Sequence, residues 1–102
     1  MRIDVSGARG AVDSRTRAYV EYRIFDTLRS VERQLRSAEI SLSDESMELP
    51  RIVTCTIALE FTSGERITAS ATADWPYAAV DRAVRNAWRH VSARPQRAMT
   101  PL

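Results

Sequence analysis

The chain has 102 residues, of which 44% are hydrophobic, and a formal net charge of +2. This length fits one domain with a modest core, and no apolar run approaches the ~18 residues that a membrane-spanning helix needs. The opening segment, MRIDVSGARG, lacks the apolar core of a signal peptide, and a single cysteine cannot form an internal disulfide. The composition argues against a membrane protein or a disulfide-rich secreted protein, and we expect a cytoplasmic protein.

Charge is distributed unevenly along the chain. Residues 81–102 contain five arginines against one acid, a net charge of +4, whereas residues 38–60 contain five acids against one arginine, a net charge of −4. Such segregation predicts one side of the molecule that faces a polyanion. All 15 basic residues are arginine, whose guanidinium suits phosphates and bases, but a genome rich in arginine codons would give the same composition. The absence of lysine therefore supports no function by itself.

The first half of the chain predicts a strand, a helix and a second strand. Residues 2–6 and 38–43 alternate apolar and polar side chains, as half-buried strands do. Asp13 or Ser14 is a suitable N-cap for a helix that we expect to continue to about Arg36. The apolar stripe of this helix is spaced by three or four residues and consists of Val20, Ile24, Leu28, Val31 and Leu35.

The second half predicts two more strands and a second helix. Residues 51–61 and 66–73 both alternate, and Gly64 suits the hairpin turn between them because glycine tolerates positive φ. Pro76 is typical of the first turn of a helix, and Pro95 would end that helix. We expect this helix to bury a stripe made of Tyr77, Val80, Val84, Ala87 and Val91.

Together these elements predict an α+β fold of order β-α-β-β-β-α, in which two helices pack on one face of a four-stranded sheet. We expect one domain over residues 1–93 and a flexible tail over residues 94–102. The uncovered face of the sheet would be neutral to acidic, with side chains such as Asp4, Glu39 and Thr54 and no aromatic rings. This face is a poor platform for stacking bases, so any bound RNA would contact the helices.

The outer faces of both predicted helices are rich in arginine. On the second helix Arg82, Arg85 and Arg89 follow the pattern i, i+3, i+7, away from the apolar stripe. Arginines with an interleaved aromatic residue, here Tyr22 on the first helix, are typical of a surface that follows phosphates and stacks on bases. The alternative is a solvated helix surface with ion pairs such as Asp81–Arg85 and Glu32–Arg36. The arginines of the first-helix face are Arg15, Arg29, Arg33 and Arg36.

Signals for catalysis are weak. Cys55 and His90 are the residue types of a nucleophile and its base, but Cys55 lies on the inward face of a strand and His90 on the flank of the second helix. The sequence has no metal-ligand spacing, phosphate-binding glycine pattern or nucleophile elbow, so we expect no enzyme, no metal site and no cofactor.

Trp75 fits either an exposed contact residue or a hydrophobic staple. Three aromatic residues of the first helix cannot all face one core and would suit a dimer contact: Tyr19, Tyr22 and Phe25.

The segment ITASATADWPYAAVDRAV and the arginine-rich helix that follows it resemble the hibernation-promoting factor / ribosome-associated inhibitor family, also called sigma-54 modulation proteins, in its short form. The similarity covers nearly the whole chain and is best over residues 67–91. The acid, aromatic and small residues at the start of the family's last helix are matched by Asp74, Tyr77, Ala78, Ala79 and Asp81.

The basic positions of the family are matched in part. Arg17 and Arg23 lie at basic positions of the first helix, and Arg89 lies at a basic position of the last. Asn86 stands where the family usually has lysine, although Arg85 is next to it, and Pro76 replaces a larger apolar residue.

The resemblance implies a cytoplasmic protein that binds rRNA in the decoding region of the small ribosomal subunit and blocks the mRNA and tRNA sites during stress or stationary phase. The sequence given lacks the C-terminal dimerisation domain of the family's long members, so we expect no ribosome pairing by this chain alone. The predicted rRNA-binding residues are Arg17, Tyr22, Arg23, Arg29, Arg33, Arg82, Arg85, Arg89, Arg94 and Arg97.

Two other binding functions remain open from the sequence. The chain could be a protein-interaction or self-association module that keeps this fold, using the aromatic residues of the first helix or a free sheet edge to form a homodimer. A double-stranded-RNA binder has a similar element order, but the lysine cluster at the start of its last helix is missing here. Ribosome binding predicts steep salt dependence, whereas self-association predicts a mass that depends on concentration.

Overall fold

The computed structural model describes residues 1–7, 12–44 and 52–94. In chain order the elements are β1 (Arg2–Gly7), α1 (Ser14–Thr27), a 3-10 helix (Arg29–Gln34), β2 (Leu35–Asp44), β3 (Val53–Phe61), β4 (Arg66–Ala73) and α2 (Pro76–Ser92). The predicted α+β order is therefore confirmed, with a 3-10 helix added between α1 and β2.

The four strands form one mixed sheet in the order β1-β2-β3-β4. β1 runs parallel to β2, and the other neighbouring pairs are antiparallel. α1 contacts β1, α2 contacts β3 and β4, and the two helices contact each other, so both cover the same face. This arrangement leaves β1 and β4 as the edges of the sheet and the opposite face without a covering element in the described part of the chain.

The core lies between the helices and the covered face of the sheet. β3 shows the alternation most clearly, because every inward side chain from Val53 to Phe61 is at most 1% exposed while Thr54 and Thr56 are only half-buried. Burying a large aliphatic or aromatic side chain in this way stabilises the fold by about 1.5–3 kcal/mol. The helices contribute Val20 and Ile24 from α1, Leu28 from its C-cap, and Val80, Val84, Ala87 and Val91 from α2.

α1 begins as the sequence predicts. Asp13 is the N-cap, and its carboxylate accepts a hydrogen bond from the backbone N–H of Thr16 at 2.7 Å. This bond satisfies a first-turn donor that has no partner within the helix, and it lowers the pKa of the Asp13 carboxyl below its usual value.

The predicted end of this helix is wrong. α1 ends at Thr27 instead of near residue 36, and β2 already begins at Leu35, with a register shift between Leu35 and Ser37. The apolar spacing could not reveal this, because the step from Leu28 to Val31 also fits a 3-10 helix, and no glycine or proline marks the end. Arg29 and Arg33 consequently lie on the 3-10 helix and Arg36 on β2, so the expected continuous arginine face of one long helix does not form.

The hairpin between β3 and β4 and the start of α2 follow the predictions. Gly64 has a positive φ of 92°, and its N–H donates to the backbone oxygen of Phe61. α2 begins at Pro76, where a missing N–H removes no helical hydrogen bond. α2 buries the predicted stripe except Tyr77, which is half-buried. Pro95, Arg51 and the loop after Asp44 lie outside the described residues.

The buried thiol of Cys55 gives a first testable prediction. Cys55 is completely buried, and burial raises the pKa of its thiol to about 12. Because the thiolate is the reactive form, we expect the native protein to resist a thiol-specific reagent at pH 8, whereas the unfolded chain reacts rapidly. The measurement is the reaction rate with and without denaturant. Similar rates in the two conditions would contradict the buried placement.

Candidate nucleic-acid interface

The outer face of α2 carries the densest group of exposed arginines. A rotation of 100° per residue brings Arg82, Arg85 and Arg89 onto one side of the helix, opposite the buried side that includes Val84 and Val91. All three arginines are exposed. We call this group the α2 arginine face.

One member of the α2 arginine face also holds the edge of the sheet. The guanidinium of Arg82 donates to the backbone oxygen of Thr72 at 3.0 Å, and Asn86 donates through its amide to the backbone oxygen of Ser70 at 3.1 Å. Both acceptors belong to the edge strand β4, whose backbone would otherwise be open to pairing with another chain. Asn86 and Arg82 thus both tie α2 to this edge strand.

Arg85 and Arg89 are available for an external ligand. Neither guanidinium makes a hydrogen bond or ion pair with any residue that the structure describes. The ion pair between Asp81 and Arg85 that would have made this a self-neutralised surface is not formed, because the Asp81 carboxylate turns toward α1.

Asp81 lies at the centre of the contact between the two helices. Its Oδ1 accepts hydrogen bonds from the hydroxyl of Tyr19 at 2.6 Å and from Nε of Arg23 at 3.0 Å. The Tyr19 ring stacks on the Tyr77 ring with a centroid distance of 4.3 Å and an interplanar angle of 6°. Arg23, predicted to bind rRNA, is therefore engaged in joining α1 to α2.

Removal of the Tyr19 hydroxyl should destabilise the fold. The hydrogen bond to Asp81 raises the pKa of Tyr19, so its contribution is fully present below the ordinary pKa of 10.0 and is lost as pH rises through the raised value. At pH 7 we expect Tyr19→Phe to lower the free energy of unfolding by about 1 kcal/mol in urea. The control is Tyr22→Phe, because Tyr22 is 63% exposed. Equal stabilities of the two variants would contradict this account.

Two more of the predicted arginines make structural contacts. Arg17 donates to the backbone oxygen of Val5, on the edge strand β1, at 2.8 Å. Arg94 forms an ion pair with Glu65 at 2.9 Å, and its guanidinium lies 3.6 Å from the ring centroid of Phe61. The Arg94 contacts attach the end of α2 to the β3–β4 hairpin, so its side chain is only 18% exposed.

The other described residues among the predicted rRNA contacts lie on elements other than α2. Tyr22 is exposed on α1, and Arg29 and Arg33 are exposed on the 3-10 helix. The 3-10 helix precedes β2, whose first residue pairs with Phe61, so these two arginines lie at the hairpin end of the sheet. Arg97 lies outside the described residues.

The structure brings no catalytic or metal-binding constellation together within its described residues. No group of three or more histidine, cysteine, aspartate or glutamate side chains there could hold a metal ion. Cys55 is enclosed in the core, whereas His90 is exposed on α2. No helix in the described ranges is long and apolar enough to cross a membrane.

Comparison with known proteins agrees with this fold. The chain is similar to the N-terminal domain of Protein Y from Thermus thermophilus, with 24% identity, a TM-score of 0.74, and coverage of 89% of this chain and 96% of that one. It is also similar to a ribosomal subunit interface protein from Coxiella burnetii, with 20% identity, a TM-score of 0.71, and coverage of 90% and 94%. No curated protein matches the sequence. The family model described as sigma 54 modulation protein / S30EA ribosomal protein matches residues 3–98, and the chain therefore belongs to that family.

Proposed function

We propose that this chain is a ribosome-associated translation inhibitor that acts in the cytoplasm during stress or stationary phase. It binds rRNA in the decoding region of the small subunit and so occupies the space that mRNA and tRNA need. The observation that carries this proposal is that Arg85 and Arg89 on α2 have no side-chain partner among the described residues, in a chain that belongs to a family described as ribosomal. Guanidiniums without an internal partner can bond phosphates bidentately without first breaking an ion pair.

The proposed mechanism is occupation of a site and involves no chemical step. The α2 arginine face neutralises rRNA phosphates and releases counterions, which makes binding tight at low salt and weak at high salt. Arg29 and Arg33 add two exposed cations at the hairpin end of the sheet, and Tyr22 offers a ring for stacking. Arg17, Arg23 and Arg94 support binding indirectly, because their contacts fix the elements that carry the exposed arginines.

Competition with tRNA tests the proposed site of action. Small ribosomal subunits programmed with mRNA are mixed with labelled tRNA, and the chain is added at increasing concentration. We expect bound tRNA to fall in proportion to bound chain, because the two occupy the same space. Simultaneous binding of chain and tRNA to one subunit would exclude the decoding region while leaving ribosome association intact.

Self-association is a second candidate function, favoured by two exposed aromatic side chains on α1. Tyr22 is 63% exposed and Phe25 is 46% exposed. A homodimer through a sheet edge is less favourable, because backbone acceptors of β1 and β4 already bond to Arg17, Arg82 and Asn86. Sedimentation equilibrium over a wide concentration range tests this candidate, and a constant monomer mass would exclude it.

A further inference from the structure

Trp75 is a large aromatic side chain in an exposed position. It is the N-cap residue of α2, yet it provides no side-chain cap hydrogen bond, and it is 55% exposed. A hydrophobic staple would be covered by the helix, so this exposure favours a contact residue. An indole with this much surface in water is stabilised when a ligand covers it.

The indole is held in a defined orientation. Trp75 has an extended backbone with φ of −145° and ψ of 135°, the geometry that the following Pro76 favours. Its ring meets the Tyr77 ring at a centroid distance of 6.1 Å and an angle of 60°, and Tyr77 is itself stacked on Tyr19. Because a tilted contact covers only part of a ring, the indole remains open for stacking.

The position of Trp75 relative to the α2 arginine face indicates which ligand covers it. Trp75 is the N-cap residue of the same helix that carries Arg82 and Arg89, so it stands at the start of the element that presents the arginines. Trp75 lies about 10 Å along the helix axis from Arg82, close enough for neighbouring nucleotides of one strand to reach both. Asp74, the exposed residue that precedes Trp75, disfavours a phosphate near this point and leaves the base as the favourable contact.

We infer that Trp75 is a stacking site for an unpaired base of the rRNA strand whose phosphates bind the α2 arginine face. This inference rests on the proposed function and adds a specific contact to it. The arginines hold the backbone of the strand, and Trp75 captures a base that points away from any helix of the RNA. The contact tolerates different bases, because every base offers a π face to the indole.

Binding of three Trp75 variants to purified bacterial small subunits tests the inference. Trp75→Ala removes the ring, Trp75→Phe keeps an aromatic face, and Trp75→Leu keeps apolar volume without one. We expect Trp75→Ala and Trp75→Leu to bind about 5- to 150-fold more weakly than wild type, the range for the loss of one stacked base. Trp75→Phe should recover most of this loss.

The outcomes separate the inference from the proposed function. If wild type does not bind small subunits, the proposed function fails and the stacking site with it. If wild type and Trp75→Ala bind equally, only the stacking site is overturned. If Trp75→Leu binds like wild type while Trp75→Ala is weak, the partner is an apolar protein surface and the inference is again overturned.

A second measurement covers the case in which the variants fold poorly. An aryl azide amino acid placed at position 75 keeps an aromatic ring, and irradiation of its complex with small subunits joins it to its neighbour. We expect the crosslink on rRNA. A crosslink on a ribosomal protein, or no crosslink in a complex that has formed, would contradict base stacking at this position.

Discussion

Arg85→Glu/Arg89→Glu should bind small ribosomal subunits roughly 25- to 60-fold more weakly than wild type at 0.1 M monovalent salt. Each phosphate contact with RNA or DNA contributes about 0.7 to 0.9 to the slope of log affinity against log salt concentration, and this variant loses two contacts. We also expect the magnitude of that slope to fall by about 1 for each arginine removed. The measurement is a binding isotherm at several salt concentrations.

The design uses Arg85 and Arg89 because their side chains have no partner among the described residues, so their replacement should leave the fold intact. Arg82 is excluded from the variant because it bonds to Thr72 on β4. The control for net charge is Arg2→Glu/Arg66→Glu on the uncovered face of the sheet, where each substitution also removes an exposed ion pair, with Asp4 and with Glu60. Equal weakening of both variants would mean that net charge, and not the α2 arginine face, determines binding.

Phe61→Ala should remove a large part of the stability of the fold. Phe61 is 1% exposed, ends β3, and carries the guanidinium of Arg94 over its ring at 3.6 Å. Truncation of a buried phenylalanine costs about 3–5 kcal/mol, and the whole fold of a small domain is stable by only about 5–15 kcal/mol. We expect a much lower urea midpoint and an α2 end that is attached to the hairpin only through the Arg94–Glu65 ion pair.

Phe25→Ala is the control for this substitution. Phe25 is the other phenylalanine of the chain and is 46% exposed on α1. Surface truncations of this kind change stability by about 0.5 kcal/mol or less. If Phe61→Ala loses no more stability than Phe25→Ala, the placement of Phe61 in the core is wrong.

The elements with a strict period or a clear end signal could be predicted from the sequence. β3 alternates over its whole length, Gly64 supplies the turn, and Pro76 starts α2, so local preference and tertiary packing agree at these points. The end of α1 could not be predicted, because the residues after Thr27 have no breaker and their apolar spacing fits two helix types. The outcome there depends on Leu35 pairing with Phe61 across the sheet.

The sequence could predict which residue types form the candidate site, but not which of these side chains are available to a ligand. The sequence locates the arginines but not their partners, because Arg23 and Tyr19 reach Asp81 across about 60 residues of chain. Four of the predicted ligands, Arg17, Arg23, Arg82 and Arg94, have contacts that hold the fold together. No local pattern separates such an arginine from a free one, since the difference lies in which backbone oxygen or carboxylate comes near in the folded state.

Co-sedimentation with purified ribosomal subunits shows whether the chain binds the small subunit, on which the proposed function depends. The wild-type chain is centrifuged with small or large subunits at about 0.1 M and about 0.5 M monovalent salt. We expect the chain to travel with the small subunit at the lower salt concentration and to be released at the higher one. If the chain stays at the top of the gradient with either subunit at low salt, this member of the family does not act on the ribosome, and the proposal is contradicted.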